Sequence, residues 1–285
     1  MPTLPEDGEW WPCLGLRSGT SPALVSRPFQ TTPFMPFFRK VRTLQSIVAG
    51  CRNWPALVAA KLGCGDGGRI VRLRNGLEVE VKNSVMTDWG QVFEPAIADV
   101  YRIGSADADV IVDVGANFGS FSCLAAWTHR NGKVYAFEPQ EDQAVQLRRN
   151  LERNHLQNVE TIESPATADG RDVTFFEQAN EGAANIFQSG DGKSIALKSV
   201  TLDCVKFSEG RSAFIKLDCE GAEGELIDWL VTHLDRLPAR TTIACEYHPW
   251  CPVPIEQSIA RLARAGFTLQ NEMHFDEAYL FARRG

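Results

Sequence analysis

From Val110 onward, apolar and polar positions alternate between two periods. Short apolar runs, "VIVDV", "KVYAFE", "VETIES", "AFIKLD" and "TTIACEYH", read as buried strands. Between most of them lie stretches with a helical stripe: the run through Trp127, "DQAVQLRRNLERN" and "AEGELIDWLVTHL", and after the last strand "IEQSIARLARAG". Ala222, Leu226, Leu230 and Leu234 recur every four residues, as do Ile255 and Ile259, and Gly266 supplies a C-terminal stop. Strands alternating with helices predict a doubly wound, mostly parallel α/β sheet covered on both faces. "FTLQNEMHF" and "EAYLFARR" follow closely and predict an antiparallel hairpin that finishes the sheet. "RDVTFFEQ" and "SIALKSVTLD" predict a β insertion between strands three and four.

Upstream the pattern changes. "GRIVRLRNGLEVEVKN" alternates on either side of Asn75-Gly76, a hairpin signal. From Phe38 to about Leu62, Val41, Leu44, Ile47 and Val48 share one helical face, and Pro55 interrupts the run. Residues 1–37 carry seven prolines, from Pro2 to Pro36, with little periodicity. The expected division is a Pro-rich lead and helical extension over 1–65, then one domain over 66–285. An appended helix with exposed apolar residues suits contact with a second copy of the chain.

Composition narrows the partners. The 285 residues are 44% hydrophobic and 23% charged, with a net charge of −7. That is a globular chain with no basic surplus for nucleic acid. No apolar stretch approaches the ~20 residues that span a bilayer. The start, "MPTLPEDGEWWPCLGL", lacks the features of a secretory signal. Eight cysteines form no CxxC pair, and Cys123, Cys219 and Cys245 fall within apolar segments. Free thiols in the cytoplasm are expected.

The chemistry begins where the first strand of the sheet ends, at Asp113 and the turn Gly115-Ala116-Asn117-Phe118-Gly119. In such a sheet, ligands bind beyond the carboxyl ends of the strands, at the switch point. A dinucleotide site wants GxGxxG and a P-loop wants a lysine, and this turn has neither. Asn117 suits a left-handed backbone, while Gly115 and Gly119 leave room for a ligand against the main chain. Glu138, before Pro139 at the second strand's tip, can accept hydrogen bonds from both hydroxyls of a ribose. A ribose clamp without a phosphate cradle describes a nucleoside with a non-phosphate tail, of which S-adenosylmethionine (SAM) is the commonest.

"DVGANFG" (Asp113–Gly119), "AFEP" (Ala136–Pro139), "TLD" (Thr201–Asp203) and "IKLDCEGAE" (Ile215–Glu223) occur in this order. Together they resemble the signature blocks of the FkbM-type, SAM-dependent methyltransferases. "RRNLERNHLQNV", with Asn150 and Asn154, is similar to that family's helix and turn before the third strand. The resemblance spans roughly residue 70 to the C-terminus, and DxEGxE is its most specific block. It implies a Rossmann-like, class I methyltransferase fold with seven strands, the last antiparallel. It also implies O-methylation of a sugar, glycoconjugate or polyketide-type metabolite. The turn residues Asp113, Gly115, Ala116, Asn117 and Gly119, with Glu138, Pro139 and Ala166, form the implied cofactor set. Cys219 departs from the family's aliphatic residue and reads as a core substitution.

Transfer to a hydroxyl needs alignment and a proton acceptor. Asp218 and Glu220 at the fourth strand's end, and Glu246 and His248 at the fifth's, are the candidates. Asp218 ranks first for an active-site role. His248 is second as the base, on its intrinsic pKa. Lys216 lies on the same side of the strand as Asp218 and biases the carboxylates toward ionisation. Glu220 suits a helix N-terminus, and Glu223 reads as a solvated helix residue. The carboxylates offer hard oxygens for magnesium. The Asp and Asp-Asn pattern of catechol-type methyltransferases is absent, so no metal is expected. "NEGAANIFQSG" reads as a lid. Two other functions compete: a non-catalytic SAM-fold module that binds a partner through residues 1–65, and a nicotinamide-dependent dehydrogenase.

Overall fold

The computed structural model describes residues 35–177, 184–185, 194–274 and 277–285. Of the Pro-rich lead only 35–37 lie within them, and of the expected lid only Ala184–Asn185. Val41–Gly285 form one compact unit.

The chain enters through helices α1 (Met35–Gly50) and α2 (Trp54–Lys61). Pro55 sits in the first turn of α2, where its missing N–H costs nothing, so it starts a second helix. Strands β1 (Ile70–Arg72) and β2 (Glu78–Glu80) pair antiparallel around the Asn75-Gly76 turn, and a short helix α3 (Trp89–Val92) follows. Then β3 (Val110–Val114), α4 (Ser120–Thr128), β4 (Lys133–Phe137), α5 (Glu141–Arg153) and β5 (Val159–Ile162) alternate. Strands β6 (Asp172–Glu177), β7 (Ala184–Asn185) and β8 (Ser194–Lys198) make a separate antiparallel sheet. The main sheet resumes with β9 (Ser212–Leu217), α6 (Glu223–Thr232), β10 (Arg240–Tyr247), α7 (Ile255–Arg264), β11 (Thr268–His274) and β12 (Glu277–Arg284).

The seven-stranded sheet has the order β11-β12-β10-β9-β3-β4-β5. Only β12 is antiparallel, to both β10 and β11. The final hairpin therefore closes the sheet with its second strand inside and its first at the edge. This is the class I methyltransferase arrangement. All five residues of β3 are buried, as a continuous apolar run covered on both faces demands. The chain winds from β3 outward to β5, then returns to place β9 against the other side of β3. Between β3 and β9 lies the switch point.

One face of the sheet buries Ile111, Val134 and Phe214 under Phe121, Leu124 and Leu147. Ile47, Cys51 and Leu57 of the first two helices join that same cluster. Val48, on the helical face expected to be apolar and packed, is 40% exposed. The other face buries Val112, Ile215 and Leu217 against Leu226, Leu230 and Leu262. Helix α7 ends as its glycine predicts: Gly266 has φ +86°, and the N–H of Phe267 donates to Leu262 O at 3.0 Å.

Asn150 and Asn154 of α5 have a specific task. Their side-chain oxygens accept from the N–H groups of Glu80 and Glu78, each at 2.8 Å. Their amide groups donate to Glu80 O at 2.9 Å and Glu78 O at 2.6 Å. One helix turn thus imitates a neighbouring strand and satisfies the open edge of β2. Asn150 also donates to Phe118 O at 2.8 Å, tying the hairpin to the turn after β3.

Candidate active site

The turn after β3 is built by hydrogen bonds that the strands cannot make for themselves. Asp113 is fully buried; its Oδ1 lies 3.0 Å from Lys216 Nζ, and its Oδ2 accepts from Ser122 Oγ at 2.5 Å. Burial pushes its carboxyl up, opposed by Lys216 and Ser122. The N–H groups of Gly115 and Ala116 both reach Phe137 O, at 3.1 and 2.9 Å. Asn117 takes the left-handed backbone expected of it, φ +51°, and its Oδ1 accepts from Phe118 N at 2.8 Å.

The glycines are required by the protein's own chain, a constraint that the expectation of room for a ligand did not include. Gly115 has φ +81°, and a Cβ there would stand 1.8 Å from Asp218 O. Gly119 has φ +88°, and a Cβ there would stand 2.2 Å from Leu147 Cδ1. They let β9 close on the turn and α5 close on α4.

Glu138 is 4% exposed. Its Oε2 accepts from Asn117 N at 2.7 Å and its Oε1 from Gln140 N at 2.8 Å. Each oxygen keeps a second acceptor position. Burial pushes the carboxyl up to about 7, against the two backbone N–H groups.

A cleft of about 330 Å³ opens over these tips. Gly115, Ala116, Asn117, Glu138, Pro139 and Ala166 line one end. Asp218, Glu220, Glu246 and His248 line the other, with part of Lys216. Asp113 and Gly119 are not in its lining. They stand beneath the loop and hold it.

At the second end, charges converge. Lys216 is 2% exposed; its Nζ lies 3.2 Å from Asp218 Oδ2 and donates to Gly115 O at 2.9 Å. Burial alone would lower its pKa, but Asp113 and Asp218 together raise it, so it stays an ammonium. For Asp218 burial works upward, and Lys216, His248 and Tyr101 outweigh it, holding the carboxyl below its ordinary range. Tyr101 OH lies 2.9 Å from Asp218 Oδ2 and 2.8 Å from Glu246 Oε2, so one proton bridges two acids. Tyr279 OH donates to the same Glu246 oxygen at 2.8 Å.

His248 departs from its expected role. Its Nδ1 lies 2.7 Å from Glu223 Oε1, and its ring rests 4.8 Å from that of Trp250. Burial pulls its pKa down, but Glu223, Asp218 and Glu220 carry it up to about 10. At neutral pH it holds the proton that a base must lack. Glu223 is corrected too: it is fully buried, not solvated, and its Oε1 also accepts from Cys219 N and Gly221 N at 3.1 and 3.0 Å. The reversal through Glu220 (φ +58°) and Gly221 (φ +119°) turns that carboxylate back under the strand end. Helix α6 starts at Glu223, so Glu220 precedes it and faces the cleft. Cys219, expected in the core alone, also lines the cleft.

Tyr101, Ser122 and Tyr279 did not stand out in the sequence. Tyr101 lies 117 residues from Asp218, in a segment with no periodic signal. For Glu223 the signal was present, because its block carries three acids within six residues.

The methyltransferase FkbM domain model matches residues 113–277. The chain belongs to the FkbM family of SAM-dependent methyltransferases. The dehydrogenase reading falls with that. No curated protein matches the sequence. Among solved structures, the chain is similar to a precorrin-6y C5,15-methyltransferase from Geobacter metallireducens, at 17% identity and a TM-score of 0.41, covering 66% of this chain and 87% of that one. It is similar to TYW2 of M. jannaschii in complex with AdoMet, at 15% identity and a TM-score of 0.43, covering 75% and 84%. An O-methyltransferase family protein from Burkholderia thailandensis matches at 12% identity and a TM-score of 0.40, covering 70% and 57%. No described helix is long and apolar enough to cross a membrane.

Proposed function

We propose that this FkbM methyltransferase binds SAM across the cleft and methylates a hydroxyl of a sugar, glycoconjugate or polyketide-type metabolite. Glu138 carries the reading. It is a buried carboxylate at the tip of β4, each oxygen held by one backbone N–H and each with an acceptor position left for a ribose hydroxyl. SAM supplies a methyl carbon on a sulfonium.

The chain's residues supply position. Asn117, Glu138, Pro139 and Ala166 hold the nucleoside, while Gly115 and Ala116 shape the floor. Asp218, fixed by Tyr101 and Lys216, faces the acceptor and takes part in removing its proton, with Glu246 beside it. The hydroxyl acceptor rests on the family resemblance. Residues 66–285 are the catalytic domain in this reading, and residues 1–65 an extension available to a second copy of the chain. Free thiols at Cys51, Cys123 and Cys245 support a cytoplasmic setting.

Calorimetric titration with SAM and with its demethylated product tests this. Both are expected to bind one site per chain. Glu138→Ala is expected to weaken both by about a hundredfold, the loss of two charge-assisted hydrogen bonds. Equal affinity in the variant, or no binding to either protein, ends the reading.

A further inference from the structure

Four donors at the ends of β9 and β10 point at one place. His248 Nε2 lies 3.9 Å from Asp218 Oδ1, 3.9 Å from Glu246 Oε1 and 3.7 Å from Glu220 Oε2. These separations are too long for hydrogen bonds. Divalent cations hold oxygen and nitrogen ligands at about 2.0–2.6 Å, which sets donors roughly 3–4.5 Å from one another. One ligand atom from each of Asp218, Glu246 and His248 lies within 4.8 Å of the others.

Supporting bonds reach both acids on the oxygens away from the histidine. Asp218 receives Tyr101 and Lys216 on Oδ2, which leaves Oδ1 toward the histidine. Glu246 receives both tyrosines on Oε2. His248 is only 8% exposed. Its Nδ1 is engaged by buried Glu223, and Nε2 takes part in no hydrogen bond among the described residues. A carboxylate behind the far nitrogen of a histidine is the arrangement that orients metal-binding imidazoles. It is an observation independent of the acids in front.

We propose that Asp218, Glu246 and His248 bind a divalent cation of the Mn²⁺/Mg²⁺ class. Two carboxylates and one imidazole suit that class, the ion displacing the proton otherwise held on Nε2, with water or ligand oxygens completing the shell. The sequence offered the carboxylates as hard ligands but no metal was expected, because the Asp and Asp-Asn pattern of catechol-type enzymes is absent; the histidine ligand was not among the residues weighed for an ion. The ion's role rests on the function proposed above: it takes the oxygen of the acceptor hydroxyl as a further ligand, so that Asp218 and Glu246 take part in removing the proton through the ion and the proton leaves to solvent.

Mn²⁺ titration of the full chain, followed by the electron paramagnetic resonance of the free ion, tests the site without needing an acceptor. One site per chain is expected, weakened at least about tenfold in Glu246→Gln, in His248→Gln and in Glu223→Gln, the last through the orienting bond alone. Glu246→Gln still offers an oxygen to both tyrosines, and a far-ultraviolet circular dichroism spectrum matching that of the unaltered chain certifies the fold. Absence of a site, equal Mn²⁺ affinity in all three variants, or mole-for-mole displacement of Mn²⁺ by SAM overturns the proposal. The last outcome would assign the acids to the cofactor's own positive charge. Failure of SAM to bind would instead sink the nucleoside reading, and the Mn²⁺ result would stand apart from it.

Discussion

The two ends of the cleft are built in opposite ways. At the end proposed for the nucleoside, a contiguous turn and the tip of the next strand line the cleft, and their polar groups engage one another's backbone. Asn117 N and Gln140 N converge on Glu138, and Phe137 O collects two N–H groups of the turn. At the end proposed for the acceptor, side chains from four separated segments meet: Tyr101, Asp218 with Glu223, Glu246 with His248, and Tyr279. The first end is local backbone architecture. The second is a tertiary assembly of charge, and the two are fused at Gly115 and Lys216.

Gly115 tests the fusion most severely. In Gly115→Ala the new Cβ meets the backbone oxygen of Asp218 at 1.8 Å, in a φ that side chains rarely adopt. Strain and overpacking sum to about 4–6 kcal/mol. Gly119→Ala meets only the end of the Leu147 side chain, which can rotate away, so about 2 kcal/mol is expected. Urea unfolding of the two variants checks the ranking. Equal losses would mean that the ends are not locked at Gly115.

Lys216→Met removes the ammonium shared by Asp113 and Asp218. Breaking a buried pair from one side costs about 3–5 kcal/mol. The lower figure is expected here, because Asp113 keeps Ser122 and its raised pKa lets it take up a proton. The double variant Lys216→Met with Asp113→Asn should recover more than half of the loss, read by the same unfolding midpoints. No recovery would show that the ammonium serves Asp218 and the Gly115 carbonyl more than Asp113.

The same contrast explains what the sequence disclosed. Strand runs, the helical stripes and the turn Asp113–Gly119 are local patterns, so the sheet and the turn itself were legible. Even there the pattern gave residue types and not all of their tasks. Asp113, Gly115 and Gly119 also serve neighbouring chain, because β9 and α5 approach more closely than any one-dimensional pattern records. At the acceptor end the ligating strands were legible but the partners were not. Tyr101 follows no periodic signal, and Glu223 looked solvated because helix spacing cannot reveal the reversal at Glu220 and Gly221 that buries it.

The smallest expected effect separates the two ends by pH. Glu138 is the titrating group at the nucleoside end. Its carboxyl stands at about 7 because burial outweighs the N–H groups of Asn117 and Gln140. Ribose hydroxyls donating to the ionised form would stabilise it and lower that pKa in the complex. Below the free protein's value, binding must first expel a proton; above it, no such work is needed. Affinity for SAM therefore rises with pH through about 7 and then levels off. It should be up to about tenfold weaker near about pH 6 than near about pH 8. Glu138→Gln has no proton to lose, so its weaker binding should lack this step while keeping any dependence that belongs to SAM itself. Calorimetry across the range, in buffers of different ionisation enthalpy, reads the released proton directly. An identical slope in the variant would place the titration at the acceptor end and leave Glu138 a structural clasp for the turn.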